Sequence, residues 1–323
     1  MKFVDVGGER ISAIGLGCWQ FGSKDWGYGN DYAQGTAVEL VHTALDLGVN
    51  LIDTAEIYAR GVSEAIVGRA LEGRRDQAFL ATKVLPIMPT AANVYEHGRL
   101  SSLRLGVDVL DLYQIHWPNP AVPLSSQMDG MRRLQDDGIV RHVGVSNFST
   151  KRWQAAEEAL GGAVLSNQVQ FSLLVPKPAR SQARHARDHE RLVIAYSPLA
   201  KGLLGGKYDA DTLPTGSARR TDPLWLAENV RRAMPVIETV RRMADAHSAT
   251  PAQVALAWLI SHPNVVVIPG ASSVDQLRHN VEAADLDLKD GEIEELTAES
   301  ERFEPLGKPA TAREYVRSMR NRD

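Results

Sequence analysis

Residues 51–71 read LIDTAEIYARGVSEAIVGRAL, in which an apolar run, 49–52, is followed at once by an aspartate, Asp53, and then by a tyrosine, Tyr58. An ionised carboxylate in or beside an apolar strand costs several kcal/mol unless it is paired, so Asp53 calls for a cation elsewhere in the chain. The run that opens this stretch, VNLIDTA (49–55), is one of eight. The others are ISAIGLGCW (11–19), AFLATKV (78–84), DLYQIHW (111–117), VRHVGVSN (140–147), LSNQVQF (165–171), LVIAYSPL (192–199) and VVVIPG (265–270). Short runs of this composition suit strands buried on both faces, as in parallel sheets.

Helix-like segments with polar faces lie between the runs. AVELVHTALDLG (37–48) sets Ala37, Val38, Val41 and Leu45 on one stripe and ends on Gly48, where a C-cap glycine is expected. Thr250, Pro251 and Gln253 have the spacing of a capped helix start, and Ser273 with Gln276 repeats it. Strands alternate with helices eight times without a composition break or a Gly/Ser linker. This pattern predicts an α/β protein built as a single (β/α)8 TIM barrel over residues 1–323, with an N-terminal β-hairpin and long cofactor and substrate loops. Two connections exceed ordinary length: the Pro-rich segment from Trp117 to about residue 124, and 201–228, which carries several glycines and prolines.

Composition narrows the function. The chain has 323 residues, 44% of them hydrophobic, enough for a large core. With 36 Lys and Arg against 40 Asp and Glu, the net charge is -4, so no basic field draws nucleic acid or anionic lipid, and neither is expected as a partner. The single cysteine, Cys18, cannot form an internal disulfide and is expected to be a small core residue, and the N-terminus lacks the apolar run of a signal peptide. No stretch approaches the roughly 20 apolar residues that span a bilayer. A reducing, cytoplasmic setting is the expectation. The basic tail EYVRSMRNRD reads as a solvated end. Oligomeric state is not encoded legibly.

In such a barrel the active site forms at the C-terminal ends of the strands. Asp53 lies near the end of the second run, Lys83 near the end of the third, His116 near the end of the fourth, and Tyr58 just beyond Asp53. Lys83 is the cation on a neighbouring strand and therefore the expected partner of Asp53. A free tyrosine has a pKa of about 10, and a nearby ammonium is expected to lower it, making Tyr58 a usable proton donor. Asp53 would hold Lys83 charged, and His116 could donate a hydrogen bond to a substrate carbonyl oxygen. This set protonates an oxygen while another species attacks the carbon. The rim offers no thiol and no His/Cys/Asp spacing for a metal, so a bound hydride-donating cofactor is expected and no metal.

The segments DTAEIY (53–58), ATK (81–83), DLYQIHWP (111–118), GVSNF (144–148), NQVQF with Gln168, AYSPLAKGLLGGKY (195–208) and IPGASSVDQLRHN (268–280) together make the chain resemble the aldo-keto reductases, over nearly its full length. The resemblance implies reversible reduction of an aldehyde or ketone by NADPH on a barrel without a Rossmann domain. It gives the same catalytic set, Asp53, Tyr58, Lys83 and His116. It further implies that Ser146, Asn147 and Gln168 hold the nicotinamide carboxamide while Tyr196 stacks on the ring. Ser197, Leu199 and Gly202 would line the pyrophosphate, and Gly270, Ser272, Gln276 and Asn280 the adenosine end. Trp19, Trp26 and Trp117 match positions that wall the substrate pocket in relatives. Many relatives carry an arginine at the position of Gln276 and a cation near Ser272 to grip the 2′-phosphate. Both positions are neutral here, which leaves NADH or dual use open and makes Arg278, Arg219 and Arg220 candidates for the missing charge.

Two other readings stay open at this stage. One is a lyase that uses Lys83 as a Schiff-base nucleophile, although Asp53 would keep that lysine protonated. The other is a regulatory subunit that senses the cofactor without turnover.

Overall fold

The computed structural model of the protein describes residues 1–24, 27–29, 33–213, 219 and 222–307. The chain starts as a hairpin of β1 (Phe3–Val6) and β2 (Glu9–Ser12). Gly7 and Gly8 join its strands, and both have positive φ, 61° and 79°, the conformation a two-residue hairpin turn requires. The barrel follows: β3 (Leu16–Gly17), β4 (Leu51–Asp53), β5 (Phe79–Val84), β6 (Leu110–Ile115), β7 (Val140–Ser146), β8 (Val164–Gln170), β9 (Leu192–Tyr196) and β10 (Val265–Val267). These eight strands pair in sequence order, each pair parallel. Closure comes from a parallel bridge between Ile14 and Val267, with Gly15 N donating to Val267 O at 2.7 Å and Val267 N to Ala13 O at 2.9 Å. The expected (β/α)8 barrel with its N-terminal hairpin is the observed architecture.

The apolar run 11–19 does not form one strand. Ile11 and Ser12 end the hairpin, the chain turns through 13–15 with Ile14 making the closing bridge, and Leu16–Gly17 forms the barrel strand. The turn forces a close approach: a Cβ on Gly15 would lie 2.8 Å from the Leu51 side chain. In the helix Gln34–Asp46 the buried stripe is Ala37, Leu40, Val41, Ala44 and Leu45. Val38, expected on that stripe, is only half-buried, because the contact with the barrel falls one residue further round the helix. Gly48 does take a positive φ, 83°, past the helix end. Thr250 forms the expected capping box with Gln253, and Ser273 accepts a bond from Gln276 N to cap Val274–Glu282.

Two layers of core result. Outward-facing strand residues such as Ile52, Leu80 and Val84 pack with the helices, while Leu51, Phe79, Ala81 and Leu112 fill the barrel interior. Val6 and Ile11 of the hairpin join the interior cluster and plug the end of the barrel where the strands begin. Side chains alternate along a strand, so Asp53 shares the inward face with Leu51, and Lys83 with Phe79 and Ala81. The polar residues therefore stand above the apolar filling, at the strands' C-terminal ends. Among the described residues, no helix is long and apolar enough to cross a membrane.

Candidate active site

Asp53 ends β4, Lys83 lies on β5, and His116 follows β6; all three are buried. Lys83 Nζ donates to Asp53 Oδ1 at 2.7 Å, to Thr54 O at 2.7 Å and to the Tyr58 hydroxyl at 3.2 Å. The cation that Asp53 required is the neighbouring lysine. The other carboxylate oxygen, Oδ2, accepts from Gln168 Nε2 at 2.7 Å across the barrel. Tyr58 begins a short 3₁₀ turn, and His116 meets its ring edge-on with centroids 5.7 Å apart. Trp117 stacks on His116 at 3.9 Å with planes 2° apart. The catalytic quartet of the sequence reading thus forms one connected cluster.

The acidities follow from burial and charge. Burial alone would pull the Lys83 ammonium down, but Asp53 and Tyr58 push harder and the net pKa is raised, so the lysine stays charged. Burial raises the Asp53 carboxyl, against the opposing charge of Lys83 and the bonds it accepts. Tyr58 moves the opposite way from expectation: burial raises its pKa, and the lowering effect of Lys83 does not overcome it. Its hydroxyl therefore keeps its proton, with Lys83 beside it to stabilise charge if the proton leaves. Burial, aided by Lys83, lowers His116 to about 2, which makes it a neutral imidazole at physiological pH. The Cys18 thiol is fully buried, and burial pushes it well above the ordinary range; it is the core residue expected.

A cleft of about 870 Å³ opens over this cluster. Asp53, Tyr58 and His116 line it, as do Ser146, Asn147, Gln168, Tyr196, Ser197, Leu199, Gly202, Gly270, Ser272 and Gln276. Lys83 lies behind the lining, fully buried. Asn280 is also behind it, with Nδ2 donating to Gly270 O at 3.4 Å. Trp19 and Trp117 form part of the wall, 42% and 40% exposed; Trp26 lies outside the described residues. Of the three arginines considered for charge, Arg219 lines the cleft, Arg278 is an exposed residue off the lining, and Arg220 lies outside the described residues.

The cleft also holds residues the sequence reading did not single out. Gln20 Nε2 donates to Ala271 O at 2.7 Å and lies so close to Gly270 that a Cβ there would sit 2.5 Å from its amide oxygen. Gln20 stands just past the first barrel strand, so the strand-end rule could have found it. Lys201 pairs with Asp222 at 3.0 Å and lies over the Trp19 ring, and Arg219 Nε donates to Lys201 O at 2.9 Å. That pairing joins the two ends of a long loop, for which no sequence signal exists. The rim backbone is strained: Ala59, Arg60, Asn147, Ser197, Ala200 and Lys201 are non-glycine residues with positive φ.

Both ends of the cleft carry polar groups. At the closed end, His116 Nδ1 is buried without a hydrogen-bond partner, and Asn147 joins the Tyr196 hydroxyl at 2.9 Å to Ser146 Oγ at 3.0 Å. At the open end, Gly270 packs against the Gln20 amide, next to the N-terminus of the helix Val274–Glu282. Ser272 donates to Gln276 Oε1 from its backbone N at 2.9 Å and from its hydroxyl at 3.2 Å, so these two neutral side chains face the cleft tied together. Among the described residues, no three His, Cys, Asp or Glu side chains group where they could hold a metal ion.

Comparison with known proteins places this geometry. The family described as "Aldo/keto reductase family" matches residues 13–301. An uncharacterized oxidoreductase of Mycobacterium tuberculosis is 49% identical over 323 residues, 100% of both chains. The structure of a glycerol dehydrogenase from Gluconobacter oxydans superposes with a TM-score of 0.84 at 29% identity, covering 95% of this chain and 98% of that one. That of an aldo/keto reductase from Klebsiella pneumoniae, in complex with NADP and acetate, gives 0.75 at 30% identity, covering 95% and 97%.

Proposed function

Because the chain belongs to the aldo/keto reductase family, we propose that it reduces an aldehyde or ketone to the alcohol, reversibly, with Tyr58 as the proton donor. The observation that carries this reading is the Tyr58 hydroxyl at the floor of a long cleft, 3.2 Å from a buried ammonium. A reduced nicotinamide cofactor, when bound, supplies two electrons and a hydrogen to the carbonyl carbon. The protein's own residues serve the oxygen. His116, neutral, donates a hydrogen bond that orients and polarises the carbonyl. Tyr58, whose burial keeps it protonated, releases its proton to the oxygen as negative charge grows there. Lys83 stabilises the tyrosinate left behind, and Asp53 holds Lys83 charged and in place. In the oxidative direction the same proton returns to Tyr58.

Cofactor roles carried from the family fit the lining. Ser146, Asn147 and Gln168 would hold the carboxamide and Tyr196 would face the ring. Gln168 already gives its amide nitrogen to Asp53, so its oxygen is the atom left for the cofactor. Ser197, Leu199 and Gly202 would take the pyrophosphate, and Gly270, Ser272 and Gln276 the adenosine, with Asn280 bracing Gly270 from behind. The Klebsiella neighbour's NADP complex supports NADPH as the cofactor. With Ser272 and Gln276 neutral, the preference for NADPH over NADH should be shallow, under about tenfold in Kd, or roughly 1.4 kcal/mol. The partner is a small carbonyl compound, and a cytoplasmic setting accompanies the reading.

Lys83 is a poor Schiff-base nucleophile in this setting: it is fully buried, holds three oxygen acceptors and keeps its proton. Fluorescence titration with NADPH and with NADH, followed by reduction of para-nitrobenzaldehyde, tests the proposal. Saturable binding with turnover supports it. Binding without turnover on a broad carbonyl panel would favour the cofactor sensor, and no binding of either nucleotide would overturn the reductase reading.

A further inference from the structure

Tyr58 is carried on an unusual support. Ala59, Arg60 and Gly61, the residues after it, all have positive φ, 48°, 57° and 88°. Left-handed backbone at a non-glycine residue is strained and persists only where the surroundings enforce it. Two backbone bonds, Tyr58 N to Ala55 O at 3.0 Å and Arg60 N to Ile57 O at 3.1 Å, close the turn locally. Among the contacts that tie it to the rest of the barrel, one side chain from another element reaches both sides of the turn: Arg104, near the end of the helix Ala91–Leu105.

Arg104 touches the segment in three places. Its Nε donates to Glu64 Oε2 at 2.6 Å, beyond the turn, and its Nη2 lies 3.6 Å from Glu56 Oε2, before the turn. Its stem packs on the turn itself: a Cβ on Gly61 would lie 2.8 Å from Arg104 Cδ. The carboxylates are anchored in turn to the strand that bears Lys83. Glu64, fully buried, accepts from Thr82 Oγ1 at 2.7 Å, and Glu56 accepts from Leu85 N and meets His97 Nδ1 at 2.7 Å. Thr82 is the immediate neighbour of Lys83. The tyrosine and the lysine are thereby referenced to one rigid frame.

A purely structural role explains this poorly. A buried ion pair contributes little more to stability than apolar side chains of similar volume, whereas it does fix a single geometry. Burial also raises the Glu64 carboxyl, opposed by Thr82 and Arg104, so an unpaired Glu64 would be costly. We infer that Arg104 is a positioning residue for Tyr58, holding the strained turn through Glu56 and Glu64 so that the hydroxyl stays on Lys83. This rests on the reading of Tyr58 as the proton donor.

The test uses the full chain, NADPH and para-nitrobenzaldehyde. Arg104→Met together with Glu64→Gln removes the tie, keeps the stem against Gly61 and neutralises the fully buried Glu64, while Glu56 keeps its contacts with Leu85 N and His97; melting and NADPH titration verify that the fold is preserved. Displacement of a reacting group by about 1 Å costs up to about a hundredfold, so kcat per NADPH-binding site should fall by about that factor while the Kd for NADPH stays within about twofold. An unchanged kcat would overturn the inference. So would a fall in kcat that is matched by lost NADPH binding, since the role would then be structural. Tyr58→Phe, measured alongside, separates the layers: if it retains the wild-type rate, the proton-donor reading fails and the inference with it.

Discussion

Each end of the barrel buries a carboxylate against cations, and the two are built differently. At the end where the strands begin, Asp111 on β6 accepts from Arg75 at 2.5 Å, from Arg141 at 2.8 Å and from Leu80 N at 2.8 Å. The arginine side chains are 29% and 51% exposed, and Arg141 and His142 also reach Glu9 on the hairpin, so the charges open toward water and tie the plug to the barrel. At the other end, Asp53 and Lys83 are sealed from solvent and no second cation reaches the aspartate among the described contacts. Besides Thr54 O and the Gln168 amide, the pair meets a tyrosine hydroxyl that faces the cleft. The first arrangement secures backbone; in the proposed mechanism the second sets a charge beside the group that gives up a proton. A buried pair alone does not mark a catalytic site; on the proposed reading, the adjoining hydroxyl is what sets this one apart.

Lys83→Met should break the second arrangement completely. It leaves Asp53 buried and unpaired, for a loss of about 3–5 kcal/mol in urea unfolding, and removes the charge that stabilises the tyrosinate, for a loss of at least about a hundredfold in kcat. Asp111→Ala should sharpen the contrast: stability falls by about 1–3 kcal/mol because Leu80 N and two guanidiniums lose their acceptor, while kcat stays within about twofold. Comparable loss of activity from both changes would erase the distinction.

The third effect is smaller and depends on pH. His116 has a folded pKa of about 2, below its ordinary value, so the unfolded chain binds a proton that the folded chain does not. Its contribution to stability is present above about pH 6.5 and is lost as pH falls toward the folded value, by up to about 1.4 kcal/mol per pH unit. His116→Gln should flatten the acid limb of urea unfolding midpoints between about pH 6 and about pH 4. An unchanged slope would show that His116 is not the neutral, sealed imidazole described. The smallest expected effect is the shallow NADPH preference, which Gln276→Arg should steepen in the same fluorescence titration.

The strand-end rule made most of the site legible. Asp53, Lys83 and His116 each close an apolar run, and one lysine on a neighbouring strand was enough to name the partner. The sign of the Tyr58 shift was not legible, because it depends on how deeply the fold buries the ring relative to the distance of one ammonium. Nor was the stripe of the first helix, where Val38 and Leu40 satisfy the same periodicity and only the curvature of the barrel decides. The 11–19 run concealed a hairpin end and a two-residue strand, since both are apolar and both are buried. Lys201 with Asp222, and Arg104 with Glu56 and Glu64, pair residues on separate elements. Such pairs carry no local signal and become visible only in the folded chain.

The most direct test of the account is kcat for Tyr58→Phe with NADPH and para-nitrobenzaldehyde, read beside the Kd for NADPH. Loss of a general acid predicts a fall of about 10²–10⁴ in kcat with the Kd unchanged, since the ring remains and only the hydroxyl is gone. Retention of the wild-type rate would contradict it and would leave the buried pair beneath Tyr58 as structural as the one beneath the hairpin.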